Sequence, residues 1–193
     1  MAHSDDEKFM ALALEEAARA AELGEVPIGA VVVHEGEVIA RAGNRRETDA
    51  DPAAHAEFSA LMEASRVLGR WRLTGCTVYV TLEPCLMCAG LMVNSRIDRC
   101  VFGAPDPKGG AVGTLYDVSH DERLNHEFEV EGGVREAECA EVLRAFFKRR
   151  RAEAKAAKLA ARMAQEGAAG LPAGVEPPLL ASECASQIDG LPA

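Results

Sequence analysis

No stretch of this 193-residue chain is apolar for the length that a bilayer requires, so no membrane-spanning helix is expected. Its six cysteines are unevenly spaced, which is not the pattern of a small disulfide framework. Thiols used in other ways fit a reducing compartment. The first ten residues, MAHSDDEKFM, are acidic and polar, unlike a secretory signal, and a cytoplasmic protein is expected. An excess of positive charge is also missing. Lysine and arginine number 21 against 31 acids, and the net charge of −10 does not suggest a nucleic-acid binder. Internal repeats are absent. Residues 164–193 contain no lysine or arginine and no periodicity, and are rich in Ala, Gly, Pro and Ser with scattered acids. They are expected to form a disordered tail behind one domain spanning 1–163.

Against this background two short motifs stand out: His55-Ala56-Glu57 and Pro84-Cys85-Leu86-Met87-Cys88. His55, Cys85 and Cys88 are three zinc ligands, one short of a tetrahedron. A structural zinc site is closed by four protein ligands, whereas a catalytic one keeps a position for water. Glu57, two residues from His55, is suited to move protons to and from that water. Cys85 and Cys88 stand three apart and share a face on a helix. Pro84 fits just before or at the first turn of that helix, where its missing N–H costs nothing. A helix N-terminus also favours thiolates. His55 and Glu57 point to nearly opposite sides of an ideal helix, so the metal is expected at the helix end. With its H-x-E and P-C-x-x-C halves, the chain resembles the zinc nucleobase deaminases.

Other readings of the same residues exist. A lone CxxC also occurs in structural zinc half-sites and redox pairs. No thioredoxin-like surroundings are visible, and a closed site needs a fourth ligand from Cys76, Cys100, Cys139 or Cys184. Cys76 and Cys100 sit in or beside strand-like apolar runs, where cysteine behaves as a small core residue. Cys139 lies on an expected helix and Cys184 in the tail. Glu57 favours the open, catalytic site. Lys148, Arg151, Lys155, Lys158 and Arg162 recur at helical spacing and line one face. That stripe is either a solvated helix face or a phosphate-binding surface.

Apolar spacing predicts a helix over 5–23, ended by Gly24. A hairpin follows, with strands over 28–34 and 38–42 around Glu35-Gly36. A polar loop covers 43–52. Helices are expected at 54–67 and 85–94, with strands at 77–82 and 99–103. Residues 104–113 read as a loop, 128–131 as a short strand and 135–163 as a long helix. This alternation implies an α/β fold with helices on both faces of a sheet. Both zinc half-motifs fall where a loop or strand enters a helix, the usual location of ligand sites in such sheets.

Over roughly residues 5–160 the chain resembles the bacterial tRNA-specific adenosine deaminases. The shared segments are Glu25-Val26-Pro27-Ile28-Gly29-Ala30, Gly43-Asn44-Arg45, Asp51 to Glu57, Thr81 to Gly90 and Asn94-Ser95-Arg96-Ile97. They continue with Phe102-Gly103-Ala104, Asp106, Lys108, Asn125-His126 and Phe146-Phe147-Lys148-Arg149-Arg150. The resemblance implies a three-layer α/β/α sandwich around a five-stranded mixed sheet, of the cytidine deaminase type, assembled as a homodimer. It implies one zinc ion per chain and deamination of adenosine to inosine at the wobble position of a tRNA anticodon. In this scheme Glu57 shuttles the protons. Asn44 binds the flipped base, and Asp106 with Lys108 lies near a neighbouring nucleotide. Phe147, Lys148 and Arg150 contact the anticodon stem-loop. Taken by themselves, Asn44 and Asp106 read as loop and turn residues, and at least one of Phe146 and Phe147 as core. Rival functions are deamination of a free guanine, cytosine or nucleotide, and a zinc-bound RNA-binding subunit without turnover.

Overall fold

The computed structural model describes the backbone of residues 2–169 and the side chains of residues 5–163. The chain runs α1 (Ala2–Glu22), β1 (Gly29–His34), β2 (Glu37–Gly43), α2 (Ala56–Leu68), β3 (Cys76–Leu82), α3 (Leu86–Ser95), β4 (Arg99–Ala104), β5 (Glu129–Gly132) and α4 (Glu136–Ala169). The sheet order is β2-β1-β3-β4-β5. β1 is antiparallel to both β2 and β3, while β3, β4 and β5 run parallel. This is the expected five-stranded mixed sheet of an α/β protein. Glu35 and Gly36 make the hairpin turn with φ of 51° and 80°, the doubly left-handed turn that matches strand twist.

Alternation along the strands sorts the core into two layers. Ala30 and Val32 of β1, Val78 and Val80 of β3, and Cys100 and Phe102 of β4 face α2 and α3. Val31, Val33, Tyr79 and Val101 face the other way and pack against Phe9, Met10 and Ala13 of α1 and Cys139 of α4. Cys76 and Cys100 are therefore core residues, as their settings predicted, and Cys139 is buried as well. The second layer includes one polar tie. Tyr79 Oη donates to buried Asp6 at 2.8 Å, and Arg99 grips the same carboxylate through two bonds.

The chain divides after Arg150 into a compact unit and residues 151–193. Within the second unit the described side chains, 151–163, are exposed throughout. α4 extends to Ala169 rather than ending at 163. The rest of the expected tail, 170–193, lies outside the described residues.

Two boundaries differ from expectation in a way that matters for chemistry. α2 begins at Ala56, leaving His55 as its N-cap with extended backbone (φ −74°, ψ 151°). α3 begins at Leu86, and Cys85 is its N-cap (φ −76°, ψ 171°). An N-cap side chain naturally folds back over the first turn of its helix. The spacing that suggested one helical face is thus the reach from an N-cap to the third helical residue.

Candidate active site

His55 and Cys85 stand at the starts of α2 and α3, two helices on the same face of the sheet. Each Sγ, of Cys85 and of Cys88, lies 3.7 Å from His55 Nδ1. All three donor atoms fall within 4.8 Å of one another, and together they could hold a metal ion. His55 and Cys85 are half-buried, whereas Cys88 is buried. Neither N-cap side chain makes a capping hydrogen bond, and both belong to the donor cluster.

The electrostatics reflect this crowding. The Cys88 thiol donates toward Cys85, which, with His55, pulls the Cys85 thiol down to about 3 against its own burial. Cys88, as the donor of that bond and deeply buried, is pushed far up. The bond to Cys85 raises His55. Glu57 lies in the first turn of α2 and is only 4 % exposed. Burial raises its carboxyl above the ordinary range, with the negative charge at Cys85 adding to the effect. A buried acid beside a convergent donor set is the kind of perturbed group that marks reactive sites.

Two other buried carboxylates hold the loops on either side. Glu25 accepts Asn44 Nδ2 at 3.0 Å, the Thr48 backbone N–H at 2.6 Å and the Thr48 hydroxyl at 2.7 Å. The next residue, Arg45, donates its N–H to the carbonyl of Ala54, beside His55. Glu83 accepts the N–H groups of Asp106 (3.0 Å), Val112 (3.3 Å) and Thr114 (3.0 Å), and also the Thr114 hydroxyl. The loop it holds lies against the second half-motif, where Gly110 bridges Cys85 and the Ala111 N–H bonds to Pro84 O at 2.9 Å. Gly110 has no room for a Cβ, because the Glu83 carboxylate occupies that space.

The remaining expected substrate contacts are distributed as follows. Asn44 is buried in the loop after β2. A cavity of about 350 Å³ beside α1 is lined by Arg19, Arg41, Asn44 and Arg45 among others, and by none of the three donors. Asp106 accepts the Lys108 N–H at 2.9 Å, which makes it a turn residue locally, and Lys108 is exposed. Phe146 is buried and Phe147 is 43 % exposed, so one of the pair belongs to the core. Lys148 and Arg150 are exposed. His126 bonds to the carbonyl of Ile97 at 2.6 Å, outside the donor cluster. Glu25, Glu83, Thr48 and Thr114 were given no role by the sequence reading. The available signal was an acid close to the end of an apolar strand, directly after β3 in Leu82-Glu83-Pro84 and four residues before β1 in Glu25-Val26-Pro27.

Comparison with known proteins agrees with this geometry. The model of the MafB19-like deaminase family matches residues 4–151. A tRNA-specific adenosine deaminase of Bacillus subtilis is 55% identical over 155 residues, covering 80% of this chain and 96% of that protein. One from Haemophilus influenzae is 46% identical, covering 79% and 89%. A solved structure from work on A-to-I editing by tRNA:A34 deaminases at the wobble position of transfer RNA superposes with a TM-score of 0.68. It is 48% identical and covers 70% of this chain and 99% of its own. A guanine deaminase from Nitrosomonas europaea is more distant, at 28% identity and a TM-score of 0.60 over 72% of this chain and 83% of that one. With a family model spanning most of its length and relatives this similar, the chain belongs to the deaminase family that includes the bacterial tRNA-specific adenosine deaminases.

Proposed function

We propose that this chain deaminates adenosine to inosine at the wobble position of a tRNA anticodon, using one zinc ion held by His55, Cys85 and Cys88. The observation that carries the reading is the convergence of three donors beside a buried Glu57, in a chain 55% identical to a tRNA-specific adenosine deaminase. The donor set fits zinc. Tetrahedral bonds of about 2.3 Å to sulfur and about 2.0 Å to nitrogen put N and S about 3.5 Å apart. The two separations here are 3.7 Å. Two thiolates and a neutral imidazole also balance the charge of the ion.

When bound with three protein ligands, zinc supplies Lewis acidity that brings the pKa of water toward neutrality. Glu57 takes the proton of the attacking water and passes it to the ring nitrogen. A C–O bond forms at C6, the C–N bond breaks, and ammonia leaves with the second proton. The raised carboxyl of Glu57 suits a group that must both accept and return a proton. Asn44 contacts the base once it leaves its stack. Asp106 and Lys108 meet a neighbouring nucleotide, and Phe147, Lys148 and Arg150 meet the anticodon stem-loop. The exposure of Lys108, Phe147, Lys148 and Arg150 supports those contacts. Residues 1–163 form the deaminase domain, so a chain truncated after Met163 retains turnover.

The working form is a cytoplasmic homodimer. α2 and α3 share one face of the sheet and expose Met62, Leu86 and Met87, apolar surface that a second copy would cover. Among the described residues no helix is long and apolar enough to cross a membrane.

The test is to incubate the zinc-loaded chain with a panel of tRNAs and with free adenine, guanine and cytosine, reading products by mass spectrometry. Inosine should form only in tRNAs with adenosine at the wobble position. Conversion of free guanine without change in any tRNA would replace this reading with the guanine-type one.

A further inference from the structure

Glu25 has no part in the chemistry described above, yet it is among the most deeply buried polar side chains of the protein, at 1 % exposure. Burial alone would raise its carboxyl, but the N–H and hydroxyl of Thr48, the N–H of Glu47 and the Arg45 charge together outweigh that, and the group is held below its ordinary range. It is therefore a carboxylate, which only accepts hydrogen bonds. One oxygen, Oε1, takes both donors of Thr48, and the other, Oε2, takes Asn44 Nδ2.

That partition has a consequence for Asn44. An asparagine amide has two faces of opposite polarity, and either could be turned to a substrate. A carboxylate beside it can be satisfied by only one. The Asn44 N–H₂ must face Glu25, which leaves Oδ1 and one N–H in defined directions for anything else. The backbone cannot reorient to compensate, because the N–H groups of Asn44 and Arg45 bond to Ile28 O at 2.9 Å and Ala54 O at 3.0 Å. The second of these bonds ties the loop to the residue before His55.

We propose that Glu25 is a positioning residue for deamination: it locks the orientation of the Asn44 amide and thereby sets the hydrogen-bond polarity that Asn44 offers the base. This rests on the reading that Asn44 contacts the base. Glu25→Gln is nearly isosteric but cannot serve both sides. Its carbonyl can keep the Thr48 donors, and its N–H₂ then faces Asn44, whose amide must turn over. Alternatively Asn44 stays and the Thr48 clamp is lost. Either way the base meets a misdirected group, and errors of about 1 Å in positioning can cost up to about a hundredfold in rate.

The experiment is a double-mutant cycle on the full-length, zinc-loaded chain, measuring kcat and KM for tRNA together with zinc content. Glu25→Gln should lower kcat about tenfold or more, with KM changed less than about twofold and zinc retained. Asn44→Ala should impair turnover by itself. Placed in the Asn44→Ala background, Glu25→Gln should produce no further loss, because there is no amide left to orient. Losses that multiply in the double variant mean that Glu25 acts elsewhere and overturn the proposal. Wild-type turnover by Glu25→Gln beside an impaired Asn44→Ala overturns it too, while the base-contact reading stands. Wild-type turnover by Asn44→Ala overturns both. A measurement on the unmodified protein guards against variants that fail to fold. The Asn44 side-chain amide protons, held by the buried Glu25 carboxylate, should exchange with water far more slowly than those of an exposed asparagine when followed by NMR. Exchange there as fast as in an exposed asparagine refutes the lock.

Discussion

Replacing Gly110 by alanine tests how tightly the loop that carries Asp106 and Lys108 is fastened to the half-motif that carries Cys85 and Cys88. The added Cβ would fall on the Glu83 carboxylate. A glutamate tip is ordinarily free to swing aside, but this one is 2 % exposed and accepts bonds from Asp106, Val112 and both donors of Thr114. A hydrogen bond to a charged group contributes about 1.5–3 kcal/mol net. Displacing the carboxylate breaks at least two of these bonds where water cannot substitute for them. The gross loss is then about 3–6 kcal/mol, and relaxation of the loop should reduce it to about 2–4 kcal/mol. Because Gly110 bridges Cys85 and the Ala111 N–H bonds to Pro84 O, the shift should also loosen metal retention. Urea unfolding of the zinc-loaded protein measures the first effect, and chelator competition the second. The same substitution in a Glu83→Ala background should be nearly neutral, since the clash is gone. A loss below about 0.5 kcal/mol for Gly110→Ala alone, or an equal loss in both backgrounds, would refute the argument.

Other expectations concern the chemistry and the charges. Cys85→Ser and Cys88→Ser should each lose metal and activity together by elemental analysis and tRNA assay, and full occupancy in both would remove these residues from the site. Glu57→Gln should keep the metal and slow deamination by about a hundredfold or more, and near-normal turnover would mean another group moves the proton. Reversing Lys148, Arg151 and Lys155 to glutamate should weaken tRNA binding and flatten its salt dependence without altering metal content. Unchanged binding at low and moderate salt would make that stripe a solvated helix face. Glu25 also predicts an acid limb. Its folded carboxyl lies below the ordinary 4.5, so the native state holds fewer protons than the unfolded chain. The stability it contributes is present above about pH 4.5 and is lost as pH falls through the folded value. Acid unfolding monitored by circular dichroism should therefore be shallower in Glu25→Gln, and an unchanged acid limb would show that Glu25 is not such a group.

What could be read without coordinates was local in the chain. Alternating and helical periodicities located the strands and helices, and Glu35-Gly36 announced the hairpin, because these signals depend on neighbours a few residues apart. The donor residues were legible for a related reason, since Cys85 and Cys88 lie within one helical turn of each other and His55 lies beside its acid. Their roles as N-caps were not legible, because the residue at which a helix starts depends on how its end packs. Phe146 and Phe147 looked alike in sequence, and only the packing of α4 buried one and exposed the other. The two loop-holding carboxylates lay furthest beyond reach. Glu25 finds Asn44 and Thr48 at separations of 19 and 23 residues, and Glu83 finds Asp106 and Thr114 at 23 and 31. Partners at such distances have no fixed spacing. An acid beside an apolar run is a fault until folding brings donors to it, and only the tertiary structure showed that these two acids are buried, hydrogen-bonded and tied to the loops next to His55 and Cys85.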